Sequence, residues 1–232
     1  MPSRHGCKAV NPRFSQPARR RHGIPPAPER KHTTRWRDFI RAHMDVLVGT
    51  DFFTVEVLTW KGLVTYYVLF FIHLETRRIC LAGMTPHPDQ PWMEQQARNV
   101  TMKDLGFLGH RPYLLHDRDG KFCPAFREVI RAGHVRPLRL PARSPNLNAY
   151  AERWVRSVKQ ECTSKLIFFG ETSLRRALTQ FVEHYHAERN HQGKDNQLLF
   201  PLPRRPAKGR ERPVRCTERL GGLLKYYERQ AA

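Results

Sequence analysis

The apolar residues of this chain fall into blocks whose period changes along its length. Met44 to Leu58 alternates after Asp51, with Phe53, Val55 and Val57 on one side and Phe52, Thr54 and Glu56 on the other. β-Branched and aromatic residues dominate it, which predicts a strand. Leu63 to Leu74 is almost continuously apolar, as expected of a central strand covered on both faces. Trp60, Lys61 and Gly62 between the two read as a hairpin turn. Glu75 to Arg78 turns the chain into a third strand, Ile79 to Met84. Connections this short imply an antiparallel meander.

After Pro88 the period lengthens. Trp92, Gln95, Gln96, Asn99, Val100 and Lys103 have helical spacing, so Pro88 to Leu105 reads as a helix. Arg111 to His116 is a short fourth strand, Pro124 to Ala132 a helix ended by Gly133, and Val135 to Leu140 a fifth strand. Asn148 to Leu166 reads as a helix with Tyr150, Trp154, Val158 and Cys162 as its buried stripe. Thr172 to Arg189 reads as another, started by a Thr172 or Ser173 cap. Three meandering strands, then alternating helices and strands, predict an α/β fold. It is a mixed five-stranded sheet flanked by helices, in the order of an RNase-H-like domain.

Charge adds a partner class. The 232 residues hold 41 Lys and Arg against 21 Asp and Glu, a formal charge of +20. Residues 1–43 carry 11 bases and 2 acids, and residues 201–232 carry 9 and 3. Most of the excess therefore sits in proline-rich basic flanks. They read as flexible segments, 1–37 and 193–232, around a core at 38–192. Such a one-signed field selects nucleic acid. The longest apolar run, Leu63 to Ile72, is shorter than the roughly 18–20 residues of a membrane span, and no apolar leader opens the chain. The five cysteines are scattered and form no Cys-x-x-Cys pair, which predicts reduced thiols in a cytoplasmic protein.

Three acids carry the chemistry. Asp51 interrupts an apolar strand, where a charge is costly unless it is paired or binds a cation. Asp117 directly follows the fourth strand. Glu152 lies in the first turn of the helix after the fifth strand. In an RNase-H-like sheet the first and fourth strands are neighbours, so the three carboxylates converge. Converging carboxylates suit hard divalent cations with oxygen ligands. Two such ions clamp the attacking and leaving oxygens of a phosphodiester.

Thr50 to Val55, His116 to Phe122 and Ser144 to Trp154 surround these acids, and Tyr185 to Gln192 follows them. In this order the stretches resemble the integrase catalytic core of bacterial insertion-sequence transposases, relatives of retroviral integrases, over about Trp36 to Gln192. The resemblance implies a DDE triad of Asp51, Asp117 and Glu152 binding Mg²⁺ or Mn²⁺, two ions in all. It implies metal-dependent cleavage at DNA 3′ ends followed by strand transfer, by a homo-oligomer on DNA, in a nucleoid-associated bacterial protein. The 34 residues between Asp117 and Glu152 are one short of the family's usual spacing. Asp119 is a second acid in the middle motif, where the family more often has Asp-x-Gly; the position of Phe122 favours Asp117. Relatives commonly carry a helix-turn-helix before the core. Residues 1–35 are too short and too rich in Pro and Arg for one, which implies a truncated copy. A silent DNA-binding remnant and an RNase-H-like nuclease are the alternatives.

Arg156 and Lys159 follow Glu152 by four and seven residues and share its face, which suits phosphate contact. Asn148, one turn earlier, is placed to touch the DNA backbone or to cap the helix. Arg153 falls off that face and reads as solvent or rim. His116 and Trp154 read as core. His184, His186 and His191 lack a cysteine pair and do not read as zinc ligands. Lys194 and Arg204 to Arg219 suit sequence-independent backbone binding.

Overall fold

The computed structural model describes residues 36–109, 111–141, 149–201 and 213–229. A first helix α1 (Trp36–Ala42) leads into β1 (Leu47–Thr59), β2 (Gly62–His73) and β3 (Ile79–Thr85). Then come α2 (Gln90–Thr101), β4 (Tyr113–His116), α3 (Pro124–Ala132) and β5 (Arg136–Arg139). Two longer helices follow, α4 (Ala149–Glu161) and α5 (Gly170–Ala187), and a hairpin of β6 (Val214–Arg219) and β7 (Leu224–Arg229) ends the described chain.

The five-stranded sheet has the order β3-β2-β1-β4-β5. β1, β2 and β3 form the expected antiparallel meander. β4 runs parallel to β1, and β5 parallel to β4. The turn into β2 uses Gly62 at φ 101°, a conformation that a residue with a Cβ resists. This is the RNase-H-like mixed sheet.

Strand parity sorts the core into two layers. Phe53, Val55 and Val57 of β1, with Val68, Phe70 and Ile72 of β2, pack on Trp154 and Val158 of α4 and on Leu174, Leu178 and Phe181 of α5. The opposite parity, Val48, Leu69 and Phe71, packs on Met93, Ala97 and Val100 of α2 and Phe126 and Ile130 of α3. A smaller cluster of Ile40, Leu47, Leu74, Leu115 and Leu140 closes the end where β1 and β4 begin. The second half of β2, from Val68 to His73, is buried on both faces, whereas Leu63 near its start is exposed despite the unbroken apolar run.

Local chemistry moves several boundaries. α2 is shorter than the sequence suggests because Asp89 caps it, its carboxylate accepting the Trp92 N–H at 3.0 Å. α5 starts at Gly170, two residues before the expected cap, and Ser173 donates back to the Gly170 carbonyl at 3.1 Å. α4 ends at Glu161, and a single 3₁₀ turn at Thr163–Lys165 follows. Two elements were not anticipated, α1 and the β6–β7 hairpin. The hairpin turns at Gly221 and Gly222, both at positive φ. Arg219 ties it to Glu183 and Glu188, and Gln180 accepts the Leu220 N–H at 3.1 Å. Leu224 enters the core on the α4–α5 side.

Trp154 is the largest of the fully buried side chains, with ring centroids 4.3 Å from Phe70 and 5.5 Å from Phe53. Trp154→Ala should therefore cost about 3–5 kcal/mol in urea unfolding. A loss below about 1 kcal/mol would mean that α4 does not anchor on this stripe.

Candidate active site

The site forms where β1 leaves its pairing with β4. The parallel register sets Gly49 beside Leu115. Two residues further on, Asp51 and Asp117 come level, one inside β1 and the other just past the end of β4. Asp51 has the parity of Phe53 and Val55, so it faces the α4 layer. There Asp51, Phe52, Glu152, Val155, Arg156 and Lys159 line one open pocket. The first turn of α4 supplies Glu152, and the next two turns supply Arg156 and Lys159 on the same face.

Asp51 is half-buried, and its neighbour's amide, Phe52 N–H, donates to it at 2.7 Å. Its pKa is pushed up from 3.8 to about 6. Loss of water is the largest cause, and the charges of Asp117, Glu152 and Asp119 add to it against the Phe52 hydrogen bond. The three carboxylates thus feel one another. Among the described residues, however, no three His, Cys, Asp or Glu side chains are grouped within reach of one metal ion. The structure brings the triad near without closing it into a coordination shell.

Asp117 and Asp119 differ in their surroundings. Among the described residues Asp117 accepts only the Asp119 N–H, at 3.0 Å. Asp119 accepts the Lys121 backbone N–H at 2.9 Å and pairs with its ammonium at 2.7 Å. Burial pushes Asp119 up, but the Lys121 hydrogen bonds and charge outweigh it and hold the carboxyl below its usual value. Lys121 also lies over the rings of Phe52 and Tyr67. Asp119 is therefore already neutralised, and Asp117 is not.

The remaining residues sort as follows. His116 is buried, with Nδ1–H donating to the Asp117 carbonyl at 2.7 Å and Nε2 without a hydrogen-bond partner among the described residues. Burial pushes its pKa down and keeps the ring neutral. The three later histidines hold backbone and turns: His186 Nε2 accepts the Ile79 N–H, His191 donates to the Tyr185 carbonyl, and His184 pairs with Glu188. Asn148 lies outside the described residues, as do Arg204 to Arg212. Arg153 is exposed, as expected, and lines a second cleft behind α4 with Arg77, Arg189 and Lys194. Sequence reading missed Arg77, which reaches α4 from the β2–β3 turn, a contact that periodicity does not reveal.

Residues 134–197, which include Glu152 and both long helices, match the family model of the integrase core domain. Over that segment the chain is similar to an integrase core. Its fold is similar to the catalytic domain of Mos1 mariner transposase, at 14% identity and a TM-score of 0.51 over 63% of this chain and 74% of that one. It is also similar to the HTLV-2 integrase catalytic core domain in complex with magnesium, at 10% identity and a TM-score of 0.49 over 67% and 93% of the two chains. No curated protein sequence matches the chain. The Mos1 likeness is one of fold.

An oxygen-only donor set suits Mg²⁺ or Mn²⁺ rather than zinc. None of the three acids makes an ion pair with another described residue, and burial first, then the charges of Asp117 and Glu152, raise the Asp51 carboxyl. The donor chemistry suits such an ion, although the side chains are not grouped into a shell.

Asp51 should shape stability against pH. Its folded pKa lies above its ordinary value, so the folded chain holds that proton longer than the unfolded one. The resulting stability is fully present below about pH 4 and is lost as the pH rises through about 6. At pH 7, Asp51→Asn should be more stable than wild type by about 2 kcal/mol without metal, a difference that shrinks to nothing near pH 4. Urea midpoints of both proteins across this window check it. A constant difference at every pH would contradict the placement of Asp51.

Proposed function

We propose that this chain is a DDE-type DNA transposase or integrase core that cleaves DNA 3′ ends and joins them to target DNA. The observation that supports the reading is a pocket lined by Asp51, Glu152, Arg156 and Lys159, with the charge of Asp117 acting on Asp51, in a chain whose residues 134–197 match the integrase core domain. Integrase cores in general serve DNA integration and transposition. The domain reading keeps a core at 38–192 between basic flanks, 1–37 and 193–232, that grip the DNA backbone, although within the second flank Leu224 packs into the core and Arg219 is paired with Glu183 and Glu188.

Asp51, Asp117 and Glu152 would hold Mg²⁺ or Mn²⁺. The bound metal supplies positive charge to the attacking and leaving oxygens of an in-line displacement. Arg156 and Lys159 hold the phosphate against the pocket from the α4 side. In cleavage, a water oxygen bonds to phosphorus and the bond from phosphorus to the 3′-oxygen breaks. The departing oxygen takes the proton and becomes a 3′-hydroxyl. In strand transfer, that hydroxyl oxygen bonds to a target phosphorus, and the target's own 3′-oxygen leaves with the proton. Neither step forms a covalent bond to protein. Among the described cysteines this fits Cys80 and Cys162, whose thiols burial pushes up to about 11 and about 12, far from the thiolate that a nucleophile requires. The partners are DNA ends, target DNA and further copies of the chain. Among the described residues no helix is long and apolar enough to cross a membrane.

Asp117→Asn should reduce Mn²⁺-dependent cleavage and strand transfer on a duplex bearing the element's terminal repeat to background. Asp119→Asn should retain most of the activity, because Lys121 already occupies that carboxylate. Loss at position 119 alone would shift the ligand assignment by two residues, and activity surviving both substitutions would remove the DDE mechanism.

A further inference from the structure

The described part of the molecule holds a second charged depression that the carboxylate site does not use. It lies on the other flank of α4 and is a cleft of about 350 Å³, lined by Arg77, Arg153, Ser157, Arg189, Asn190 and Lys194 among others. We propose that this cleft binds a backbone phosphate of the same DNA that reaches the carboxylate pocket, a proposal that rests on the DNA-processing reading above.

Charge is the first argument. Four cationic side chains line the cleft, and among the described residues no acidic one does. Arg189 is neutralised from outside by Glu161, which accepts its Nε–H and an Nη2–H at 2.8 and 2.6 Å. Arg77, Arg153 and Lys194 have no such carboxylate partner among the described residues. Packing like charges together costs free energy, and a bound anion offsets it.

The second argument is the way Arg77 is held. Its backbone stands at φ 63°, in the left-handed region that non-glycine residues seldom adopt. Its guanidinium lies 3.6 Å from the Tyr150 ring centroid, and its buried Nε has no hydrogen-bond partner among the described residues. Burial is the largest cause of a pKa below the usual arginine range; Tyr150 and Tyr185 oppose it, and the charge of Arg153 adds to it. A guanidinium held flat on a ring is pre-organised for phosphate oxygens. Arg153 reaches the facing loop, where its Nη1 lies 3.6 Å from the place a Cβ on Gly193 would take. Ser157 and Asn190 add neutral donors.

The third argument is placement. Glu152, Arg156 and Lys159 occupy one face of α4, and Arg153 and Ser157 the neighbouring face about 100° round the helix. A strand that crosses α4 sets one phosphate at the carboxylates and another in the basic cleft. A free nucleotide has no such reason to span the helix.

The test is the salt dependence of binding to a labelled DNA duplex, read by fluorescence anisotropy in EDTA so that catalysis plays no part. Three proteins are compared: wild type, the double variant Arg153→Ala with Lys194→Ala, and the charge-retaining pair Arg153→Lys with Lys194→Arg. Each lost phosphate contact lowers the slope of log K against log salt by about 0.9. The cleft holds one phosphate, so the alanine pair should lose about 0.9 in slope, and the charge-retaining pair should keep the wild-type slope. Equal slopes in wild type and the alanine pair would overturn the proposal, as would a wild type that does not bind the duplex. A parallel Mn²⁺ cleavage assay separates the two readings. Cleft-dependent binding without cleavage sinks the DDE reading alone, and cleavage with an unchanged slope sinks the cleft alone.

Discussion

The arrangement of this molecule turns on the cost of one charge. Asp51 is half-buried in β1, and withdrawal from water is the largest cause of a carboxyl pKa of about 6, with the charges of Asp117 and Glu152 adding to it. A fold built only for stability would place an apolar residue there. Here the parallel register of β1 and β4 brings Asp117 level with it, and the first turn of α4 adds Glu152, so that the cost increases. Such a concentration of negative charge is what a cation-dependent phosphoryl transferase requires at its centre.

α4 converts that local chemistry into a surface. Trp154 and Val158 bury one side of the helix against β1 and β2. That packing fixes the rotation of the helix and therefore the directions of Glu152, Arg156 and Lys159. The same rotation turns Arg153 and Ser157 toward the basic cleft. One stripe of apolar residues thus sets two polar faces, and a substitution in the stripe would misalign both.

Much of this was legible in the sequence because it depends on short-range pattern. Alternation in β1, the unbroken apolar run of β2, the α4 stripe and the short meander connections all reflect burial, which writes itself into periodicity. The assignment of Asp117 over Asp119 rested on motif register; the structure adds a physical contrast, the Lys121 ion pair. What sequence did not reveal depends on long-range contact. α1 is only seven residues long and closes the sheet through Ile40 and Phe39. β6 and β7 are dense in charge and read as tail, although the adjacent Gly221 and Gly222 between them are a hairpin signal that was available. Arg219 finds Glu183 and Glu188 more than thirty residues away, and Arg77 meets α4 from a turn. No local pattern encodes either contact.

The most direct test of the account is to locate the cation itself. Crystals grown with Mn²⁺ should show an anomalous peak with oxygens of Asp51, Asp117 and Glu152 all within about 2.0–2.6 Å of it. A structure in saturating Mn²⁺ with no peak among these three side chains, or with the ion held by Asp119 in place of Asp117, would contradict it.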